Sequence, residues 1–186
     1  MVLFQEIRWH GRGGQGVVTA SNLLASAALL EDKQVQAFPE FGPERTGAPV
    51  LGFTRISDAP IHVHSQVYEP DVVVVLDPTL LRTINVIEGL KKGGKLLVNT
   101  DLSPKELKGQ LNSEGIQVFT VNATRISLDV IGRPVFNTAM LGALVKATKL
   151  VSLDSIVKVT LERFAESVGE KNVAAIKRSF TEAEGI

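Results

Sequence analysis

The chain has 186 residues, 44% of them apolar, which is enough for one domain with a substantial core and argues against disorder. Its 20 basic and 20 acidic residues balance, so the net charge does not indicate binding to nucleic acid or to an anionic membrane. The sequence has no cysteine, which excludes disulfides and thiolate ligands for zinc or an iron–sulfur cluster within this chain and fits a cytoplasmic location.

The sequence also lacks the patterns of a membrane or secreted protein. Its longest apolar run, residues 72–76, is far too short to cross a bilayer. Residues 1–6 do not combine a basic segment with a long apolar one, so we expect no signal peptide.

The first half of the chain is predicted to be rich in strands. Strands are predicted at residues 3–9, 34–38, 50–56, 61–64 and 71–76, with a helix over 17–25. The segments 50–56 and 61–64 flank a turn at 58–60 and predict a β-hairpin insertion. The last strand is almost continuously apolar and β-branched, which is typical of a central parallel strand covered on both faces.

The second half alternates helices and strands and then becomes helical. Helices are predicted at 80–90, from 103, from 122, and at 138–150, 153–164 and 173–184, with strands at 95–98 and 116–121. This alternation predicts an α/β fold, a single three-layer Rossmann-like domain over residues 1–186 with a mainly parallel sheet.

A glycine-rich loop joins the first predicted strand to the first predicted helix. Gly11, Gly13 and Gly16 match G-x-G-x-x-G in the strand–turn–helix context that this motif requires. A helix N-terminus reached by a flexible backbone can bind an anion such as a phosphate, and Arg12 adds a planar cationic donor. The alternative is a tight turn whose glycines serve only packing.

The residue after the second strand bears on which ligand the loop could hold. In nicotinamide-binding folds that strand ends in an acidic residue that binds the ribose. Here Phe38 and Pro39 end the strand, and Glu40 follows only after the rigid proline. A freestanding NAD-binding dehydrogenase therefore stays as an alternative hypothesis.

Residues 40–49 form a second candidate region, rich in proline, glycine and charge. A loop with so little conformational freedom is typical of a docking surface for a ligand or a partner subunit. The alternative is a solvated connection in which Glu44 and Arg45 are ordinary surface charges.

Four further residues allow two interpretations each. His62 and His64 lie two apart on a predicted strand and could share a metal, but no third ligand is nearby in sequence, so we expect a solvated face and no metal site. His10 could contact a phosphate or transfer a proton, or simply pack. Asp77 could face a ligand or cap the helix that follows it.

The two candidate loops together carry a resemblance to a known family. The run Gly-Arg-Gly-Gly-Gln-Gly at 11–16 and the run Phe-Pro-Glu-Phe-Gly-Pro-Glu-Arg-Thr-Gly-Ala-Pro at 38–49 resemble the gamma subunits of pyruvate:ferredoxin oxidoreductase. Segments 70–80 and 137–144 continue the likeness in order toward the C-terminus. Gamma subunits of enzymes for 2-oxoisovalerate and 2-oxoglutarate share the scheme, while Arg12 and residues 44–47 favour the pyruvate enzyme.

The resemblance implies a subunit of a complex that converts pyruvate, coenzyme A and oxidised ferredoxin to acetyl-CoA, CO2 and reduced ferredoxin. It implies alpha, beta and delta subunits as partners, with ferredoxin reached through the complex. Thiamine diphosphate, Mg and the 4Fe–4S clusters are then expected on those partners, and the isolated chain is expected to be inactive.

The same resemblance assigns roles to residues of this chain. It implies coenzyme A binding or gating by the glycine-rich loop, Gly11, Arg12, Gly13, Gly14, Gln15 and Gly16. It places Glu40, Glu44, Arg45 and Thr46 on a shared active-site or subunit face. No residue is assigned a catalytic role, and a purely structural scaffold subunit is the remaining alternative.

Overall fold

The computed structural model describes residues 3–40, 47–111 and 114–186. In these parts of the chain the strands are β1 (Phe4–Arg12), β2 (Gln34–Pro39), β3 (Pro49–Ser57), β4 (Val72–Val75), β5 (Lys95–Asn99), β6 (Gln117–Val121) and β7 (Glu184–Gly185). The helices are α1 (Val17–Leu29), α2 (Pro104–Gln110), α3 (Ala123–Ile131), α4 (Asn137–Thr148), α5 (Leu153–Arg163) and α6 (Glu166–Glu182), with a 3-10 helix at Pro78–Arg82. None of these helices has the length and apolar character needed to span a bilayer.

The strands form one sheet in the order β2-β3-β1-β4-β5-β6-β7. Its middle is parallel, because β1, β4, β5 and β6 run in the same direction. Antiparallel pairs flank this middle, β3 with both β1 and β2 on one side and β7 with β6 on the other. The expected α/β domain with a parallel central sheet is confirmed.

The central strand β4 shows how the three layers are held together. Val72 and Val74 belong to a core shared with α1, α4 and α6, whereas Val73 and Val75 belong to a core shared with the 3-10 helix and α2. All four side chains are buried, since successive residues of a strand point to opposite faces. The prediction of a strand covered on both sides is confirmed.

The predicted hairpin is wrong in its partners. The hairpin is formed by β2 and β3, and residues 61–64 are not a strand. Strand β3 pairs with β1 on one edge and β2 on the other, so no free edge remains for residues 61–64. The segment is fixed instead by the buried guanidinium of Arg55, which donates to the carbonyls of Val63, Ser65 and Gln66.

Two helix predictions also need correction. The expected helix at 80–90 is only the short 3-10 helix followed by turns. Thr83, Ile84, Val86 and Ile87 are β-branched and favour a helix weakly, and Gly89 adopts φ +71 where the chain packs against the Tyr68 carbonyl. Helix α6 begins at Glu166, earlier than expected, and ends at Glu182, because Glu184 and Gly185 extend along β6 and pair with it.

Candidate functional site

The glycine-rich loop lies at the edge of the sheet where the parallel strands end. Strand β1 ends at Arg12, and a tight turn follows in which the Gln15 amide donates to the Arg12 carbonyl at 3.0 Å. The Gln15 side chain closes this turn by accepting from the Arg12 amide at 2.7 Å. The turn delivers the chain directly into α1, so the first N–H groups of that helix face the end of the sheet.

Gly16 is the residue that makes the entry into α1 possible. It adopts φ +78, a left-handed conformation that side chains disfavour. A Cβ at this position would also collide with the side chain of Asn137, the first residue of α4. Asn137 donates to the Gly16 carbonyl at 3.3 Å, so α4 holds the end of the loop where it enters α1.

Arg12 is held by a network at the end of β4. Its Nε donates to the Oδ2 of Asp77 at 3.1 Å, one terminal nitrogen donates to Thr79 Oγ1 at 2.9 Å, and the other donates to the Gly47 carbonyl at 3.1 Å. Gln15 Nε2 reaches the same Asp77 oxygen at 2.8 Å. The guanidinium is thus held by three acceptors on two segments, residues 77–79 and Gly47.

Asp77 is ionised across the physiological pH range. Burial alone would raise its pKa, but hydrogen bonds from Thr79 and Gln15, together with the charge on Arg12, lower the pKa of Asp77 below its ordinary value. Its Oδ1 accepts from the Thr79 amide at 2.9 Å and thereby caps the 3-10 helix. The side chain therefore serves as a cap, as the sequence allowed, and at the same time as the partner of Arg12 and Gln15.

A cleft of about 440 Å³ opens above the loop. One wall is the loop and the start of α1, and the other is formed by the ends of β2 and β3. The lining residues are Arg12, Gly13, Gly14, Gly16, Val17, Val18, Pro39, Glu40, Val50 and Leu51. The structure thus brings the predicted glycine-rich loop and Glu40 to the same cleft.

The start of α1 provides the polar character of this cleft. No side chain caps the helix, and its first turn contains no acidic residue. The amide of Gly13 is already used, because it donates to the Ala48 carbonyl at 2.9 Å. The first N–H groups of α1 have no acceptor within the helix and can donate to an anion, and the helix dipole there also favours negative charge.

Side-chain charge in the cleft is balanced. Among the described lining residues, Arg12 is a cation that is paired with Asp77, and Glu40 is a carboxylate. Gln66 donates to Glu40 Oε1 at 3.2 Å, which turns that carboxylate toward the 61–70 segment. Arg12 and Glu40 therefore give the cleft lining no net side-chain charge.

The other predicted residues have different outcomes. Glu44, Arg45 and Thr46 lie outside the described residues. His62 and His64 are exposed, and no cluster of three or more metal-ligating side chains occurs in residues 3–40, 47–111 and 114–186.

His10 is a buried residue of the sheet and does not line the cleft. Burial, reinforced by the neighbouring Arg8 charge, lowers the pKa of His10 to about 3. Its Nε2 accepts from Arg8 Nε at 3.1 Å, so the interpretation as a packed, hydrogen-bonded residue fits the structure.

Sequence reasoning did not identify several residues that shape the site. Thr79, Asn137 and Gln66 each reach the loop or Glu40 from a distant segment. No local pattern marks Thr79 or Gln66, because their roles depend on strand order.

These features define a class of protein: a three-layer α/β domain with a glycine-rich loop and an uncapped helix start at the carboxyl end of its central strands. The chain belongs to the pyruvate ferredoxin/flavodoxin oxidoreductase family, whose model matches residues 6–182. It is 55% identical to the "Pyruvate/ketoisovalerate oxidoreductases common subunit gamma" of Thermococcus kodakarensis, over 94% of this chain and 95% of that protein. It is 49% identical to "Pyruvate synthase subunit PorC" of Methanocaldococcus jannaschii, over 95% of this chain and 96% of that one.

A solved structure supports the same assignment. The pyruvate oxidoreductase subunit PORC of Thermotoga maritima superposes with a TM-score of 0.86 at 43% identity, covering 98% of each chain. The expectation of a gamma subunit of a 2-oxoacid:ferredoxin oxidoreductase is therefore confirmed. The names of these relatives also confirm the expectation that the chain is a subunit of a pyruvate:ferredoxin oxidoreductase.

Proposed function

We propose that this chain binds coenzyme A for the assembled oxidoreductase, with the phosphates of coenzyme A at the N-terminus of α1. The observation that carries this proposal is the uncapped start of α1, which faces a cleft lined by Arg12. A helix start of this kind presents unpaired N–H groups and a partial positive charge, the combination that binds phosphate.

The fit between the cleft and the ligand class rests on shape as well as charge. The cleft has apolar walls at Val17, Val18, Val50 and Leu51, while its polar donors are concentrated at the loop. An amphipathic molecule with a charged diphosphate and a less polar body suits such a lining. Coenzyme A supplies the thiol that takes the acyl group.

The residues of this chain would orient coenzyme A. A loop held on one side by Asp77 and on the other by Asn137 has little freedom to move. Phosphates fixed on that loop would direct the rest of the carrier consistently toward the reaction site on a companion subunit. Orientation of this kind can contribute several kcal/mol to lowering a barrier.

The test uses a pair of matched glycine substitutions in the assembled enzyme. Gly14 lies in the cleft wall at φ +90, and Gly93 lies outside the cleft lining at φ +78. A Cβ would meet no described atom within 4 Å at either position. Alanine therefore costs about 1 kcal/mol of backbone strain at both positions. Only Gly14→Ala adds a methyl group where the ligand is proposed to bind.

We expect Gly14→Ala to raise the KM for coenzyme A several-fold and Gly93→Ala to leave it unchanged. Both variants should lower Tm by similar amounts, which controls for strain. An unchanged KM in Gly14→Ala would assign the loop to structure alone, the role of a scaffold subunit.

The geometry disfavours the alternative of a freestanding NAD-binding dehydrogenase. In that fold the second strand lies directly beside the first, so that its terminal carboxylate meets the ribose. Here β3 lies between β1 and β2, which puts Glu40 two strand spacings from β1, about 10 Å. Calorimetry of the chain with NAD(H) should show no tight binding.

The proposal extends to the composition of the complex. With no cysteine in the sequence, thiolate-ligated 4Fe–4S clusters must be held by other chains. We place thiamine diphosphate and Mg there as well, on alpha, beta and delta subunits, with ferredoxin reached through the complex and the assembly in the cytoplasm. Co-purification from the native host with mass spectrometry tests these partners.

A further inference from the structure

The carboxylate of Asp77 divides its two oxygens between two tasks. Oδ1 accepts from the amide of Thr79 at 2.9 Å and from its hydroxyl at 2.6 Å, and these bonds start the 3-10 helix. Oδ2 accepts from Arg12 Nε at 3.1 Å and from Gln15 Nε2 at 2.8 Å, and both donors belong to the glycine-rich loop. One side chain thus connects the end of β4 to the loop after β1.

We propose that Asp77 is a positioning residue for coenzyme A binding: it fixes Arg12 and Gln15, and through them sets the shape of the loop at the start of α1. This inference rests on the proposed function of the loop. Asp77 itself does not line the cleft, so it would act through the two loop residues rather than by touching the ligand.

The hydrogen bonds of the loop show how the effect would be transmitted. Gln15 accepts from the Arg12 amide through Oε1 while it donates to Asp77 through Nε2, so its side chain bridges the turn and the carboxylate. The side chain of Asp77 is 12% exposed and that of Arg12 28%, so this ion pair is partly shielded from water. Hydrogen bonds to a charged group in such a place are stronger than neutral ones.

The pairing also decides what Arg12 can offer a ligand. With Asp77, Thr79 and Gly47 as acceptors, each nitrogen of the guanidinium already makes one hydrogen bond. Asp77 neutralises its charge at close range. The guanidinium therefore lines the site in a fixed position, and the start of α1 provides the main attraction for phosphate.

Asp77→Asn separates the two tasks of the carboxylate. Asparagine is as good a helix cap as aspartate, so the bond to the Thr79 amide can persist through its side-chain oxygen. Its NH2 group would then face the donors of Arg12 and Gln15, where no acceptor remains. Asp58→Asn is the matched control, because Asp58 pairs with Lys33 at 2.6 Å and accepts from the Leu3 amide outside the cleft lining.

In the assembled enzyme we expect Asp77→Asn to raise the KM for coenzyme A about tenfold, because Arg12 and Gln15 both lose their charged acceptor and no longer hold the loop in its binding shape. The kcat at saturating coenzyme A should change by less than about twofold, because phosphates bound at the start of α1 still orient the carrier once the site is filled. Asp58→Asn should leave both constants unchanged. Gln15→Leu removes the bridge without altering the carboxylate and should raise the same KM, which keeps the test available if Asp77→Asn fails to assemble.

A double-mutant cycle tests whether Asp77 acts through Arg12. If it does, Arg12→Gln combined with Asp77→Asn raises the KM by clearly less than the product of the two single effects. If the double variant raises the KM by the full product of the two single fold-increases, Asp77 does not act through Arg12 and the positioning role is wrong. The positioning role is also wrong if Asp77→Asn leaves the KM unchanged while Gly14→Ala raises it. That result would not contradict the proposed function of the loop. If Gly14→Ala has no effect either, the proposed function itself is wrong.

Discussion

Replacing His10 by Gln should make the folded chain much less sensitive to mild acid. His10 is 4% exposed, and its Nε2 accepts a hydrogen bond from Arg8 Nε. A protonated imidazole has only donors, so it would face the Arg8 donor with another N–H and a second positive charge. The Gln side chain keeps an acceptor oxygen for Arg8 but cannot titrate.

The magnitude follows from the difference between the folded and the unfolded pKa of His10. In the folded chain the pKa is lowered to about 3, whereas the unfolded value is about 6.5. At a pH between these two pKa values, His10 is protonated in the unfolded chain and neutral in the folded chain. The free energy of unfolding therefore falls as the pH drops below about 6.5 and levels off near the folded pKa. Between pH 7 and pH 5 this one residue should cost about 2 kcal/mol of stability.

Urea unfolding of the chain at pH 7 and pH 5 measures this effect. We expect the wild-type chain to lose about 2 kcal/mol more than His10→Gln over that interval. Exposed Asn22→Gln in α1 provides the control, since it changes no titratable group and should keep the wild-type pH dependence. Equal acid sensitivity in His10→Gln and wild type would refute the conclusion that His10 is buried in its neutral form.

Two further substitutions test how the sheet is held together. Arg55→Met should lower the free energy of unfolding by about 3–5 kcal/mol, because it leaves Glu6 and several carbonyls without their buried donor. Its control is Arg125→Met, which removes an exposed i,i+4 ion pair and should cost under about 0.5 kcal/mol. Asn99→Ala should lower the free energy of unfolding by about 2–3 kcal/mol, since the buried Asn99 amide makes hydrogen bonds with the Leu76 carbonyl and with Thr124. Its control is exposed Asn22→Ala in α1, which should be neutral or slightly stabilising. Thermal and urea unfolding measure both pairs, and equal losses in a variant and its control would contradict the assigned contacts.

The sequence by itself determined the elements that depend on local pattern. The β-branched run at β4, the helix start at residue 103 and the glycine-rich turn before α1 each depend on neighbouring residues, so their periodicity or spacing was sufficient. The same local information identified the family, because the two N-terminal motifs are specific in combination.

Tertiary structure alone decided which strands pair and which side chains meet. Residues 61–64 had the alternation of a strand, but both edges of β3 were already occupied, and pairing is decided by the available edges rather than by propensity. Arg12 meets Asp77 across 65 positions and Asn137 meets Gly16 across 121, contacts that exist only once the sheet order and the α4 packing are set. The loop was therefore visible in the sequence, and the side chains that hold it in place became visible only in the folded chain.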